Sequence, residues 1–380
     1  MRNYLLFAFI LLLSLPQLKA TKETVNNYNI DKKIFLDSLS GYINQDHRLK
    51  NFYQDNKNTP LWFGSTLELN QIKGLLTILG NSKEHGLSPE LFKKKRIEQL
   101  TDSISKNLYL SDSKRYGALA RLEALSTRAV INYVKTLKFG YLNPRSTFPD
   151  DYFIETIQPD SLYYAYINKL IIISPIGAMM NAQPTNTAYV RLQNKLSTLD
   201  SIKHAKIAVI SSKEYKLNDA DENITLIAKR LMLTGEYKPH KTDSLSNILD
   251  QNLLDAINKF REENCLHIGN EIGSATINAL NRPLEYYYKK ILANLERYRW
   301  RKKIKNNNRR VEVNIAPFYL TAYDGAKSVL EMNVCAGSTD NRTPLMQSNI
   351  NSINLNPVWY VPRSITQKEL YHSIKKNPDY

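Results

Sequence analysis

The chain has 380 residues, 42% hydrophobic and 23% charged, with 15 Pro and 13 Gly. That is the composition of a folded chain of two or three domains, and it excludes collagen-like, coiled-coil, disulfide-scaffold and disordered proteins. Lys and Arg number 52 against 36 Asp and Glu, a formal charge of +16, which favours an anionic partner (nucleic acid, acidic lipid or an acidic polymer) without bearing on fold.

Arg2 supplies a positive start, Leu5 to Leu15 form an apolar run of 11 residues, and Ala20 is a small residue suited to cleavage. Residues 1–20 therefore read as a secretory signal peptide, since the run is too short for a relaxed membrane span. An uncleaved membrane anchor is the alternative. No Cys stands near the cleavage site, so no lipid anchor is expected. Export argues against a nucleic-acid partner.

Residues 21–110 are expected to be mainly helical. Ile72, Leu75, Leu76 and Leu79 recur at helical spacing; Gly86 suits a helix C-cap, and Ser88-Pro89 restarts a helix. Lys93 to Arg96 reads as a solvated face. The clearest helix lies over 111–138, where Leu119, Leu122, Leu125, Ala129, Tyr133, Val134 and Leu137 share a stripe. Gly140 and Asn143-Pro144 end it. Leu170 to Met180 reads as buried core, and 150–245 as helical but without an interpretable motif.

Residues 250–283 form a compact unit. Leu253, Leu254, Ile257 and Phe260 mark one helix, Gly269 and Gly273 a turn, and Thr276 to Leu280 a second helix. Pro283 opens a longer helix with Leu284, Tyr288, Ile291, Leu292 and Leu295 on one face. Arg301 to Arg310 carries six basic residues in ten. It reads as a solvated linker first and a contact for acidic polymer second. From Val311 the pattern alternates: VEVNIAPFYL, SVLEMNV and NSINLN read as strands, separated by Asp324-Gly325 and a polar loop at 338–342. The chain is helical first and β-rich last, an α+β fold.

Cys265 and Cys335 are the two cysteines. Neither is flanked by a His that would activate it, and two Cys without nearby His pairs do not make a zinc site. They read as buried small apolar residues, with one disulfide open to an exported chain. His372, followed by Ser373, reads as solvated near the terminus. No catalytic, cofactor-binding or metal residue is assigned.

Several segments together resemble the YcbB type of periplasmic L,D-transpeptidase. Tyr53-Gln54 with Pro60-Leu61-Trp62, followed by HGLSP at 85–89, is similar to the start of that family's scaffold domain. Leu125 to Pro144 resembles its long helix and FG…NP exit. Phe260, Leu266, Gly269, Gly273, Thr276 and Leu280 resemble a peptidoglycan-binding-like module, and Asn294 to Trp300 (NLERYRW) its connecting helix. Val313-Asn314-Ile315, Gly337, Thr343-Pro344, Asn356-Pro357, Trp359 and Val361-Pro362 resemble the opening of the catalytic domain. Arg261 stands where Gln is usual and Ile268 where Asp often precedes the turn; both argue against glycan binding by the module. IAPF at 315–318 replaces the more usual IPxF.

The resemblance implies a signal peptide (1–20), a helical scaffold domain (21–245), a peptidoglycan-binding-like module (246–283), a connecting helix and basic linker (284–310), and the N-terminal part of a catalytic domain (311–380). That last part would be an incomplete β-sandwich. It also implies a cofactor-free reaction in the periplasm or cell envelope, within peptidoglycan cross-linking and cell-wall biogenesis. A Cys thiolate attacks the amide before a terminal D-Ala, and a neighbouring stem's amine resolves the thioester. The partners would be peptidoglycan stem peptides and glycan, with no nucleic acid, and with membrane contact only through an uncleaved signal anchor.

The family's nucleophile stands in a Ser-His-Gly-Cys motif, and the 380 residues contain none. The expectation is an inactive, C-terminally truncated form. The alternative is a non-catalytic peptidoglycan-binding envelope protein. A nucleic-acid binder, suggested by charge alone, ranks last. The incomplete sheet is expected to expose apolar faces and edges, and residues 311–380 to be the least stable part.

Overall fold

A computed structural model describes residues 30–64, 69–106, 111–154, 156, 160–239, 245–300, 309–338 and 340–377. The residues expected to form a signal peptide, and most of the basic run 301–310, lie outside that set. The architecture is α+β. Helices α1 (Lys32–Ile43), α2 (His47–Asp55), α3 (Asn70–Asn81), α4 (Lys94–Ser105), α5 (Asp112–Phe139), α6 (Ser161–Ile173) and α7 (Pro175–Ala182) build the first core.

The centre of that core is α5, 28 residues long. Its small residues Ala118, Ala120, Ala124 and Ala129 are buried along with Leu119, Leu122, Val130 and Leu137. Burial on several faces explains why the helix surrounds itself with neighbours: α1 lies against it, and α2, α4 and α7 also touch it. Each fully buried Leu or Phe contributes about 1.5–3 kcal/mol. Residues 170–180 split between core and surface. Ile171 and Met179 are buried, but Ser174-Pro175 breaks the helix and leaves Ile173 and Met180 exposed.

A second core runs from Ile210 to Leu280. It joins α9 (Glu222–Thr234), α10 (Gln251–Glu263) and α11 (Ser274–Leu280) to a two-stranded antiparallel sheet. Strand β1 (Tyr215–Lys216) pairs with β2 (Glu271–Ile272), Tyr215 opposite Ile272. A third cluster forms where α8 (Thr187–Ile202) packs on α12 (Leu284–Trp300), through Tyr189, Leu196 and Leu199 against Leu284, Ile291 and Leu295.

The C-terminal part is an antiparallel meander of β3 (Arg310–Asn314), β4 (Tyr319–Asp324) and β5 (Lys327–Asn333). Gly325 closes the β4–β5 turn, as the Asp-Gly signal predicts. The exposure of this sheet is also as expected: Val311, Val313, Val329 and Leu330 face solvent. The third predicted strand, NSINLN at 351–356, is not a strand: it pairs with no strand among the described residues, and it bends at 355–356. A strand needs a neighbour to take its backbone hydrogen bonds, so alternation alone does not make one. Leu355 is 87% exposed and Trp359 69% exposed. Ordering such a segment costs about 1–2 kcal/mol per residue with little burial to offset it. Limited proteolysis is therefore expected to cut between residues 346 and 362 before it reaches α5; early cuts within 112–139 would contradict this.

Candidate functional site

The sequence motifs come together as two buried carboxylate boxes. The first forms around Glu123 of α5, which is fully buried. One carboxylate oxygen accepts from Leu61 N at 2.5 Å and from Tyr53 Oη at 2.7 Å. The other accepts from Trp62 N at 3.1 Å and Phe63 N at 3.2 Å. The Trp62 indole donates to Thr127 Oγ1 at 3.1 Å. The Tyr53…Pro60-Leu61-Trp62 motif is thus a loop whose backbone donors converge on one acid. Burial pushes Glu123 up to about 7, against the pull of these four donors. Burial also raises Tyr53 well above its ordinary value.

The second box joins three motifs distant in sequence. Glu296 of α12 accepts from Tyr141 N at 2.6 Å, Leu142 N at 2.8 Å and Trp300 Nε1 at 2.9 Å through one oxygen. The Arg299 guanidinium holds the other oxygen at 2.6 and 3.0 Å. Arg299 Nη1 also donates to His85 O and to Tyr189 Oη, each at 2.9 Å. His85 Nδ1 lies 3.0 Å from Tyr189 Oη and 3.2 Å from Gln193 Nε2. Burial first, and the Arg299 charge second, hold His85 down at about 4, so the ring is neutral near pH 7. Gly140 makes the close approach feasible. Its φ is +84°, and a Cβ there would stand 2.4 Å from Trp300 Cδ1. The segments around His85, Gly140–Leu142 and Glu296–Trp300 are therefore one junction that clamps α12 against the end of α5 and against α8.

A further tie reaches the C-terminal part. Phe153 N donates to Leu345 O at 2.7 Å, and Leu345 N to Asp151 O at 2.8 Å. Arg342 pairs with Asp151 at 3.2 Å. Gly337 N donates to Thr343 Oγ1 at 2.7 Å, and a Cβ at Gly337 would collide with Asn341 O. The Gly337…Thr343-Pro344 motif is thus a tight loop presented to the scaffold.

In the second core, Arg261 is buried and acts as a clasp. Its Nε donates to Thr276 Oγ1 at 2.9 Å, and Nη1 to Gly269 O at 2.7 Å and Asn258 Oδ1 at 2.8 Å; Nη2 donates to Glu271 O. The residue that departs from the usual Gln therefore holds the turn between α10 and α11 together.

Both cysteines are exposed and free, which corrects the expectation of buried apolar residues or a disulfide. Cys265 sits at φ +55° just after α10, where no core covers it. Cys335 lies just beyond the last residue of β5. His372 is exposed beside the Tyr371 ring. The structure does not bring any of these together into a nucleophile–base pair among the described residues. Nor does any group of three His, Cys, Asp or Glu side chains there form a metal site. No described helix is long and apolar enough to cross a membrane.

The sequence reading passed over Glu123, Glu296, Arg299 and Tyr189. The signal was present for one of them: Glu123 interrupts the buried stripe Leu119–Leu122–Ala124–Val130, and a charge inside such a stripe requires partners.

Two family models match the chain: a scaffold domain over residues 47–196 and an L,D-transpeptidase catalytic domain over 308–380. A putative L,D-transpeptidase of Haemophilus influenzae is 32% identical over 68 residues. That match covers 18% of this chain and 14% of the relative. A scaffold domain followed by an L,D-transpeptidase catalytic domain is consistent with the YcbB-type architecture that the motifs resemble.

Proposed function

We propose that the chain supplies the scaffold, a peptidoglycan-binding-like module and the opening of the catalytic domain of an L,D-transpeptidase that cross-links peptidoglycan stems outside the cytoplasm. The reading divides the chain at residues 20, 245, 283 and 310, with export through residues 1–20. The strongest support is the junction at Glu296, Arg299, Gly140 and His85, which fixes the helix leading to the catalytic domain on the scaffold.

The 380-residue polypeptide itself is proposed to carry no acyl-transfer activity. The supporting observation is that Cys265 and Cys335 are both solvent-exposed, and no base or cation is set against either among the described residues. A cysteine nucleophile in acyl transfer works with an adjacent base and an oxyanion hole, and neither thiol is built into such a site among the described residues. Incubating the polypeptide with a disaccharide-tetrapeptide should release no D-alanine above background, and mass spectrometry after carbapenem treatment should find no adduct. D-alanine release, or an acyl adduct on Cys335, would overturn the proposal. A second reading, a non-catalytic peptidoglycan-binding envelope protein, draws on the basic groove described next.

A further inference from the structure

The exposed side of α5 carries a row of cations. Arg121, Arg128 and Lys135 follow one another at seven-residue spacing, which keeps them close to one face of a helix. At the middle of the row is a cavity of about 140 Å³. Lys93, Arg128 and Asn132 line its rim, and Leu91, Leu125 and Ala129 are among its apolar walls. Arg48 of α2 extends the basic rim, its guanidinium donating to Asn132 Oδ1 at 3.0 Å. Lys135 lies one turn further along α5, close enough to Arg48 that the like charge lowers its pKa, after the larger effect of burial.

Charge at this place is not balanced from within. Among the described residues, Asp46 is the one carboxylate paired into the group. It bonds Arg128 with one oxygen and caps α2 through Arg48 N with the other, at 2.9 Å. The side-chain ammonium groups of Lys93 and Lys135 have no hydrogen-bond or ion-pair partner among those residues. Cations held together at a half-buried surface raise each other's energy, and an incoming anion relieves that repulsion.

We propose that this groove, between α5 and the Leu91–Lys93 turn, binds a carboxylate-bearing peptide in extended form. The apolar walls suit the methylenes of an acidic side chain, while Arg128, Lys93 and Asn132 suit its carboxylate. Arg48 and Lys135 would take a second carboxylate a few residues along. A single-stranded nucleic acid fits less well, because it stacks on exposed aromatic platforms along a basic track, and the one ring of the cavity wall, Phe92, is buried. Carboxylate binding stands on the groove alone. Naming wall stem peptides as the natural ligand rests on the reading above.

The test uses the full chain and fluorescein-labelled hexa-L-glutamate, with anisotropy recorded at low salt. Saturable binding is expected, and the double variant Arg48→Gln/Lys135→Gln should weaken it about tenfold, roughly 1.4 kcal/mol. The same change in net charge on the second core, Lys229→Gln/Lys259→Gln, should weaken it less than about twofold. Circular dichroism should show unchanged melting for both variants, since Arg48, Lys229 and Lys259 are exposed and Lys135 is half-exposed. Absence of binding, equal losses in the two variants, or tighter binding of labelled hexathymidylate would each overturn the proposal. These outcomes do not depend on D-alanine release, so either reading can fail without the other.

Discussion

Replacing Glu123 with Ala is expected to lower the unfolding free energy by about 3–5 kcal/mol, a large share of the roughly 5–15 kcal/mol a domain possesses. The substitution removes one side chain but orphans four donors: the N–H groups of Leu61, Trp62 and Phe63 and the Tyr53 hydroxyl. Each buried unsatisfied donor costs about 1–3 kcal/mol unless water reaches it. The segment from Tyr53 to Phe63 keeps other restraints, since Tyr53, Trp62 and Phe63 are buried in the core and the Trp62 indole still donates to Thr127 Oγ1, so detachment relieves only part of that cost. Glu123→Gln should lose less, because one amide oxygen still accepts two of the four bonds while its NH2 faces the other two donors. Tyr53→Phe should lose least, about 1 kcal/mol, since it deletes a donor together with its bond. Urea unfolding followed by far-UV circular dichroism gives the ranking. An Ala variant within 1 kcal/mol of the parent would show that the carboxylate does not hold the loop.

The helices were legible because apolar periodicity is a local property. Over α3 and α5 the stripe, the stop at Gly140 and the Pro exit all agree with the structure. The Ser88-Pro89 restart is equally local, with the Ser88 hydroxyl accepting from Glu90 N at 3.3 Å. What the sequence hid were relations between distant residues. His85, Gly140, Tyr189 and Arg299 are far apart along the chain, and their convergence depends on how α8 and α12 pack. Each looked unremarkable in its own segment. The cysteines were misjudged for a related reason: burial preference is a statistical property of the residue type, whereas exposure here follows from Cys265 standing just past the end of a helix and Cys335 just past a sheet that no second layer covers among the described residues. The strand expected at 351–356 failed similarly, since a strand requires a partner that alternation does not supply.

Glu296→Ala carries the other large effect. The substitution leaves the Arg299 guanidinium buried without its carboxylate, and it strips the acceptor from the Trp300 indole and from Tyr141 and Leu142 N–H. Breaking a buried pair by removing one partner costs about 3–5 kcal/mol, much of it the penalty of the stranded charge. Here the stranded group still has two ligands, His85 O and Tyr189 Oη, which should keep the loss toward the lower figure. The double variant Glu296→Ala/Arg299→Met should then recover part of it, because the buried charge goes with its partner. Gly140→Ala is expected to mimic the single variant by a different route: it places a methyl within 2.4–2.7 Å of Trp300 and Glu296 on a φ that L-residues rarely adopt. Amide hydrogen exchange at Tyr141 and Leu142 separates clamp release from global unfolding. Accelerated exchange there, with protection retained in the middle of α5, marks detachment of α12 from the scaffold. Uniform acceleration along α5 would mean instead that the junction is part of the main cooperative unit.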